Sequence, residues 1–193
     1  YNIQVSRAAA WDPRADWTRR LPAVTALIDE YDFDILCGQE PYLGQIQDLR
    51  EHYKDKYECV ARSTAADSLN PLAAHNPIFY KKDRVKCLTS GNFWLSETPE
   101  VVGSVGWDAK YTRICTWGQF KDKKTGKKFW MFNLHMDHRG VEARKQSALL
   151  VMERIKKMCG KQPYILLGDF NVDQFNPIYP MMMESGLFVD CHD

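Results

Sequence analysis

The sequence predicts a layered protein of interspersed strands and helices, α/β or α+β, on three observations. Three apolar, strand-like runs end in polar or titratable side chains: Phe33 to Glu40, Phe129 to His138 and Tyr164 to Asn171. Between them apolar residues recur at helical spacing, as in Trp17, Leu21, Val24 and Ile28, and again in Ala148, Val151, Met152 and Ile155. No internal repeat, low-complexity tract or linker divides the 193 residues, a length that suits one substantial core and is short for two ordinary domains.

Taken in order, Tyr1-Asn2-Ile3 reads as the end of a first strand, followed by a loop containing Trp11-Asp12-Pro13. An amphipathic helix then runs from Trp17 to Tyr31, and a buried strand ends at Glu40. Leu43, Ile46, Leu49 and Tyr53 mark a second helix. Short strands are predicted over 57–61, 77–80, 85–89 and 92–96, with Asn70-Pro71 in a loop. Strands over 111–120 and 127–135 flank Lys123-Lys124-Thr125-Gly126, a hairpin whose glycine can take a positive φ and whose lysines read as a solvated turn. The helix through Ala148 and Cys159 has Gly160 placed to end it, and the strand to Gly168 follows directly.

Composition narrows the function classes. With 26 Lys and Arg against 25 Asp and Glu, the net charge of +1 gives no global basic field for tight nonspecific DNA binding. No stretch approaches the roughly 20 apolar residues of a membrane span, and no signal peptide opens the chain. The six cysteines form no C-x-x-C pair, which argues against a zinc knuckle or redox motif and reads as core thiols; a disulfide would be expected only if the protein is exported.

Gly168-Asp169-Phe170-Asn171, Gln39-Glu40, Asn133-Leu134-His135 and Tyr1-Asn2-Ile3 resemble, in order along the chain, the motifs of the endonuclease/exonuclease/phosphatase superfamily, the group that includes DNase I. Phe93-Trp94-Leu95-Ser96-Glu97-Thr98-Pro99, Gly106-Trp107-Asp108 and Arg113 resemble a mostly bacterial branch of it. The resemblance covers nearly the whole chain. It implies an α+β fold, the four-layer α/β/β/α sandwich, over residues 1–193 as one domain. It also implies truncation at both ends, with the last strands and a final Ser-Asp-His motif lying past Asp193; Cys191-His192-Asp193 has those residue types in the wrong order. Secretion or a periplasmic location is favoured by the resemblance alone.

The residues suggest chemistry of the same kind. A carboxylate at the end of an apolar strand is costly to desolvate unless paired or coordinated, and Mg²⁺ takes one or two carboxylates with water and phosphate oxygens, so Glu40 is the expected metal ligand. Asp169 and Asn171 flank Phe170 and would project to one side if the extended geometry persists. The resemblance assigns Asp169 to preparing the attacking water, Asn171 to metal-site water or the scissile phosphate, Asn2 to a place beside the metal, and Arg113 to the phosphate. His135 would contact a phosphate oxygen or act as a general acid. Asp137 and His138 stand beside it, Asp137 to fix an imidazole and His138 on the substrate side, with Trp107 the tryptophan expected to touch substrate. Taken singly, Glu40 before Pro41 is an ordinary exposed glutamate and Gly168-Asp169 an ordinary turn; their order changes the reading.

The expected activity is a Mg²⁺-dependent (or Mn²⁺-dependent) phosphoesterase, nuclease or phosphatase, acting by attack of water on phosphorus. Its partner is a phosphoester: nucleic acid, sugar phosphate or phospholipid headgroup, with no protein partner evident. Two rivals stand beside it. One is a noncatalytic module of the same fold. The other is a dinuclear zinc hydrolase, since 133–138 nearly spells H-x-H-x-D-H but has Asn133 at its first position. The segment before Pro77, Ala73-Ala74-His75-Asn76, lacks the carboxylate that the resemblance would pair with the active-site histidine.

Overall fold

The computed structural model describes residues 1–65 and 70–191; His192 and Asp193, read above for their order, lie outside the described residues. Helix α1 (Trp17–Tyr31) leads into β1 (Ile35–Cys37), α2 (Leu43–His52), β2 (Tyr57–Val60) and β3 (Ile78–Lys81). Strands β4 (Val85–Trp94), β5 (Ile114–Asp122) and β6 (Lys128–His135) follow, then α3 (Val141–Cys159), β7 (Tyr164–Asp169) and α4 (Ile178–Met183). The strands form two sheets, β1-β3-β2 and β4-β5-β6-β7. All pairings are antiparallel except β6 with β7.

Alternation along the strands builds three apolar interfaces and hence four layers. Leu36 and Phe79 face α1 and α2, where they meet Val24, Ile28, Ile46 and Leu49. Their neighbours Cys37, Ile78 and Tyr80 face the other way and pack on Phe120 and Met131 of the second sheet. Trp130, Phe132 and Leu134, the alternate residues of β6, turn outward onto Ala148, Val151, Met152 and Ile155 of α3. This is the expected α+β arrangement of two facing sheets with helices outside.

Several boundaries differ from the sequence reading, each for a local reason. The opening Tyr1-Asn2-Ile3 is a single parallel bridge, Asn2 to Gln39, because Gln4 takes a φ of 57° and turns the chain into a 3-10 helix. The strands expected over 85–89 and 92–96 are one strand; Gly91 does not break it, since a Cβ there would lie 2.6 Å from the Trp117 ring that crosses it. Helix α3 begins at Val141 because Asp108, from a distant loop, accepts the N–H of Ala143 (2.7 Å) and Glu142 (3.3 Å). Such a cap is invisible to local sequence. Tyr31 closes α1 exposed, stacked on Phe33 at 5.4 Å. All six thiols are free; Cys37, Cys115 and Cys159 are buried as expected, whereas Cys191 is exposed.

A buried amide clamps the two sheets together. Asn133 on β6, fully buried, points between the sheets. Its Nδ2 donates to the carbonyls of Gly38 and Pro77, both at 2.9 Å, and its Oδ1 accepts from Gln39 Nε2 at 2.7 Å. Asn133→Leu removes every partner at once and strands buried polar groups that each cost about 1–3 kcal/mol. Chemical denaturation should show a loss of about 3 kcal/mol or more; a variant as stable as wild type would show that the clamp contributes nothing.

Candidate active site

The site forms where β1, β6 and β7 end. β1 gives way to Gly38-Gln39-Glu40; Gln39 is tied to Asn133, and Glu40 adopts a left-handed backbone, φ 73°. That conformation costs a residue with a Cβ of order 1 kcal/mol or more, and it turns the carboxylate out before Pro41. β7 ends at Asp169 directly opposite His135, the last residue of β6. Gly168 is needed there: at φ 147°, a Cβ would lie 2.0 Å from the Leu134 carbonyl oxygen.

Asn2 joins the two carboxylates. Its Nδ2 donates to Glu40 Oε1 at 3.0 Å and to Asp169 Oδ2 at 2.9 Å, while its Oδ1 accepts the Gln4 N–H at 3.0 Å. Two carboxylate acceptors require the NH₂ end of the amide between them. Asn2 is therefore a bridging donor here, and its oxygen keeps a lone pair beyond the one that accepts from Gln4. The Val5 N–H also reaches Glu40 Oε2 at 3.3 Å, a contact no sequence motif signalled.

Asp169 and Asn171 do not converge as an extended strand would have them. Asn171 is left-handed, φ 52°, and its N–H donates to Asp169 Oδ1 at 3.0 Å, closing a turn. Its side-chain Nδ2 donates to the Met136 carbonyl at 2.9 Å, so Asn171 orients Asp169 and fastens the exit of β7 to the segment after β6. Burial works to raise the Asp169 carboxyl, but the Asn2 amide, His135, the Asn171 N–H and Arg113 outweigh it and hold it below its usual range.

Arg113, half-hidden at the start of β5, holds both histidines. Nη1 lies 3.1 Å from His135 Nδ1, and Nη2 lies 3.3 Å from His138 Nδ1. A guanidinium only donates, so both Nδ1 atoms accept and each neutral ring carries its proton on Nε2. His135 Nε2 faces Asp169 Oδ2 at 3.7 Å. Burial first, and the charge of Arg113 second, pull His135 down to about 4. It is neutral at pH 7, which fits a donor to a phosphate oxygen and not a ready-made general acid.

Asp137 does not fix an imidazole directly. It is buried, accepts the N–H groups of Gly140 (2.8 Å) and Arg139 (3.0 Å), and lies 3.5 Å from Arg113 Nε. Burial pushes its carboxyl up, but those N–H groups and Arg113 bring it to about 2. The carboxylate missing from Ala73-Ala74-His75-Asn76 is thus not replaced; an arginine takes the Nδ1 side of His135. His75 and Asn76 brace the site instead, through His75 N–H to the Pro41 carbonyl (3.0 Å) and Asn76 Nδ2 to the Ile114 carbonyl (2.9 Å).

Trp107 stands apart from this cluster. Its N–H donates to both oxygens of Glu97 (2.9 and 3.0 Å), and it lines a groove with Glu97, Leu150 and Glu153 along α3. Sequence reading missed Tyr111, which stacks on exposed His138 at 5.7 Å with Lys110 Nζ 5.5 Å from its ring.

The donor set fits a hard cation on oxygen. Glu40 offers a carboxylate whose two oxygens each take one hydrogen bond and keep a further lone pair, and Asp169 brings a second negative charge beside it. Among the described residues no three His, Cys, Asp or Glu side chains group as a metal cage, and Asn133 is committed to the sheet clamp. The nitrogen- and sulfur-rich sets that zinc favours are not built here.

Comparison with known proteins gives concordant matches. Residues 1–188 match the Endonuclease/Exonuclease/phosphatase family. A mannosyl-6-phosphatase of Bacteroides thetaiotaomicron is 41% identical and superposes at a TM-score of 0.86, over 97% of this chain and 69% of that one. An endonuclease/exonuclease/phosphatase of Bacteroides vulgatus is 39% identical at a TM-score of 0.88, over 97% and 70%. An uncharacterized protein of Acanthamoeba polyphaga mimivirus is 33% identical over 169 residues, 81% of this chain; the chain spans 60% of that relative's length.

The His135 environment makes a pH prediction. A histidine held down to about 4, against 6.5 when unfolded, favours the folded state fully above 6.5 and loses that contribution as pH falls toward 4. Histidine NMR of the metal-free protein should place the His135 midpoint well below 6.5, and Arg113→Gln should raise it by removing the neighbouring charge. An unchanged midpoint in that variant would sink the assigned contact.

Proposed function

Because the chain belongs to the endonuclease/exonuclease/phosphatase family, whose members hydrolyse phosphoesters, we propose that it is a Mg²⁺- or Mn²⁺-dependent phosphoesterase working by in-line attack of water on phosphorus. The observation that carries this reading is the Asn2 amide held at 3.0 Å from Glu40 and 2.9 Å from Asp169. It sets a metal-type carboxylate and a base-type carboxylate side by side without direct repulsion between bare oxygens.

Glu40 would hold the cation, and the chemistry such an ion would supply when bound is charge stabilisation at the phosphoryl and leaving oxygens. Asp169, ionised, accepts the proton of the attacking water on a carboxylate lone pair that the Asn2 and Asn171 hydrogen bonds leave free. Neutral His135 donates from Nε2 to a phosphoryl oxygen, and Arg113 adds its charge from behind both histidines. Asn171 keeps Asp169 aimed. His138 and Tyr111 stand on the open side, where a leaving group would lie.

The relative described as a mannosyl-6-phosphatase, at 41% identity, makes a sugar phosphomonoester the first substrate to test. A net charge of +1 supports trying it ahead of duplex DNA. The assay is release of phosphate from hexose 6-phosphates, and nicking of oligonucleotides, by the full-length protein with and without Mg²⁺. Hydrolysis of neither, at any divalent metal, would overturn the proposal.

Two substitutions test the roles. Glu40→Gln should raise the Mg²⁺ concentration for half-maximal activity by at least about tenfold, since even groups that merely support a metal ligand matter on that scale. Asp169→Asn keeps an oxygen for the Asn2 amide but removes the base, so kcat should fall by about 10² or more while inorganic phosphate binds as in wild type. The variant has one oxygen for two donors and gives up some stability for that reason, so a wild-type kcat is the result that would make Asp169 a turn residue only.

A further inference from the structure

At the end of the molecule opposite the site, the strand register brings lysines face to face. Lys86 of β4 pairs with Lys121 of β5, and Lys121 pairs with Lys128 of β6. Phe120 and Phe129 point between the sheets, so by alternation the three lysines share the opposite face in one row. Like charges directly opposite each other destabilise a sheet, and packing gives no reason for them, since all three are exposed. Among the described residues, the ion pairs at this end go to Lys56, Lys81 and Arg84; the row takes part in none. The exposed turn beyond it adds Lys123, Lys124 and Lys127. It is held against the β3–β4 turn by the Lys123 N–H to the Arg84 carbonyl at 2.9 Å.

We propose that this basic end docks the protein on an anionic lipid surface. The row lies roughly 23 Å from the site, the rise of β6 from Lys128 to His135, so a phosphate bound there is not one being cleaved. Docking leaves the mouth of the site facing away from the surface. The cations are lysines, hydrated point charges suited to diffuse attraction, and the planar fork of arginine that reads phosphates singly is absent from the row. Among the described residues no exposed aromatic ring lies within the row or turn to stack bases, which favours a bilayer over single-stranded nucleic acid.

The test is co-sedimentation of the full chain with phosphatidylcholine vesicles, with and without phosphatidylserine. Binding is expected only with phosphatidylserine at about 0.1 M salt, and release at about 1 M, where the Debye length shrinks from about 10 Å to about 3 Å. Each lysine near such a surface contributes about fivefold in partitioning. Lys86→Gln/Lys121→Gln/Lys128→Gln should therefore lose on the order of 10²-fold, with a Tm at or above wild type. Lys124→Gln/Lys127→Gln, confined to the exposed turn, should lose about 25-fold and guards against an effect of folding. Binding that ignores phosphatidylserine, or survives both variants, overturns the proposal. Tighter binding to duplex oligonucleotide than to the anionic vesicles at equal salt overturns it in favour of nucleic acid.

Discussion

The Asn133 amide, buried between the sheets and bonded to Gly38, Pro77 and Gln39, sets the spacing on which the site depends. Glu40 comes from one sheet, and Asp169 and His135 come from the other. Apolar contact between sheets is not directional and would tolerate a small slide. Hydrogen bonds to two carbonyls and a side-chain amide do not, because a displaced partner becomes a buried unsatisfied group. The same bonds fix Gln39, whose neighbour Glu40 must then take up its left-handed turn. Strain at Glu40 is tolerated because the structure on both sides of it is over-determined.

Charge at the site is arranged in alternation. Asp137 neutralises the rear of Arg113, Arg113 faces the histidines, and His135 faces Asp169, which shares Asn2 with Glu40. Backbone N–H groups, with the charge of Arg113, keep Asp137 ionised in a place where burial opposes it. The front of the chain of contacts, Glu40 with Asp169, is left with more negative than positive charge. A divalent cation and a phosphate together balance such a front better than either alone.

The strand ends and the residues they carry were legible in the sequence because two local signals coincide there, an apolar run and an abrupt polar stop. Glu40, His135 and Asp169 were placed by that pattern, and the ordered motifs tied them together. What was not legible depends on contacts across the chain. The cap that Asp108 provides for α3, the turn that takes Asn171 out of line with Asp169, and the placement of Trp107 over α3 all follow from distant partners. Asn133 shows the boundary well. A polar residue inside Phe129 to His135 was visible as part of the Asn133-Leu134-His135 motif, and as the position where a zinc string fails, but nothing local marked it as a joint between sheets.

The parallel pairing of β6 with β7 has a consequence for how the protein comes to be active. Asn2 and Asp169 are 167 positions apart in the chain, and Gln39 and Asn133 are 94 apart. Closing such long loops is entropically slow, and contacts of this separation form late. A chain emerging from the ribosome can assemble α1, α2 and the first sheet while Asp169 is still unmade. Its carboxylate at Glu40 has no Asp169 to share Asn2 with until β7 is laid down beside β6. Formation of the Asn2-bridged carboxylate pair and the addition of β7 to the sheet are then one event, so a chain that has not yet laid β7 beside β6 holds only half of the pair.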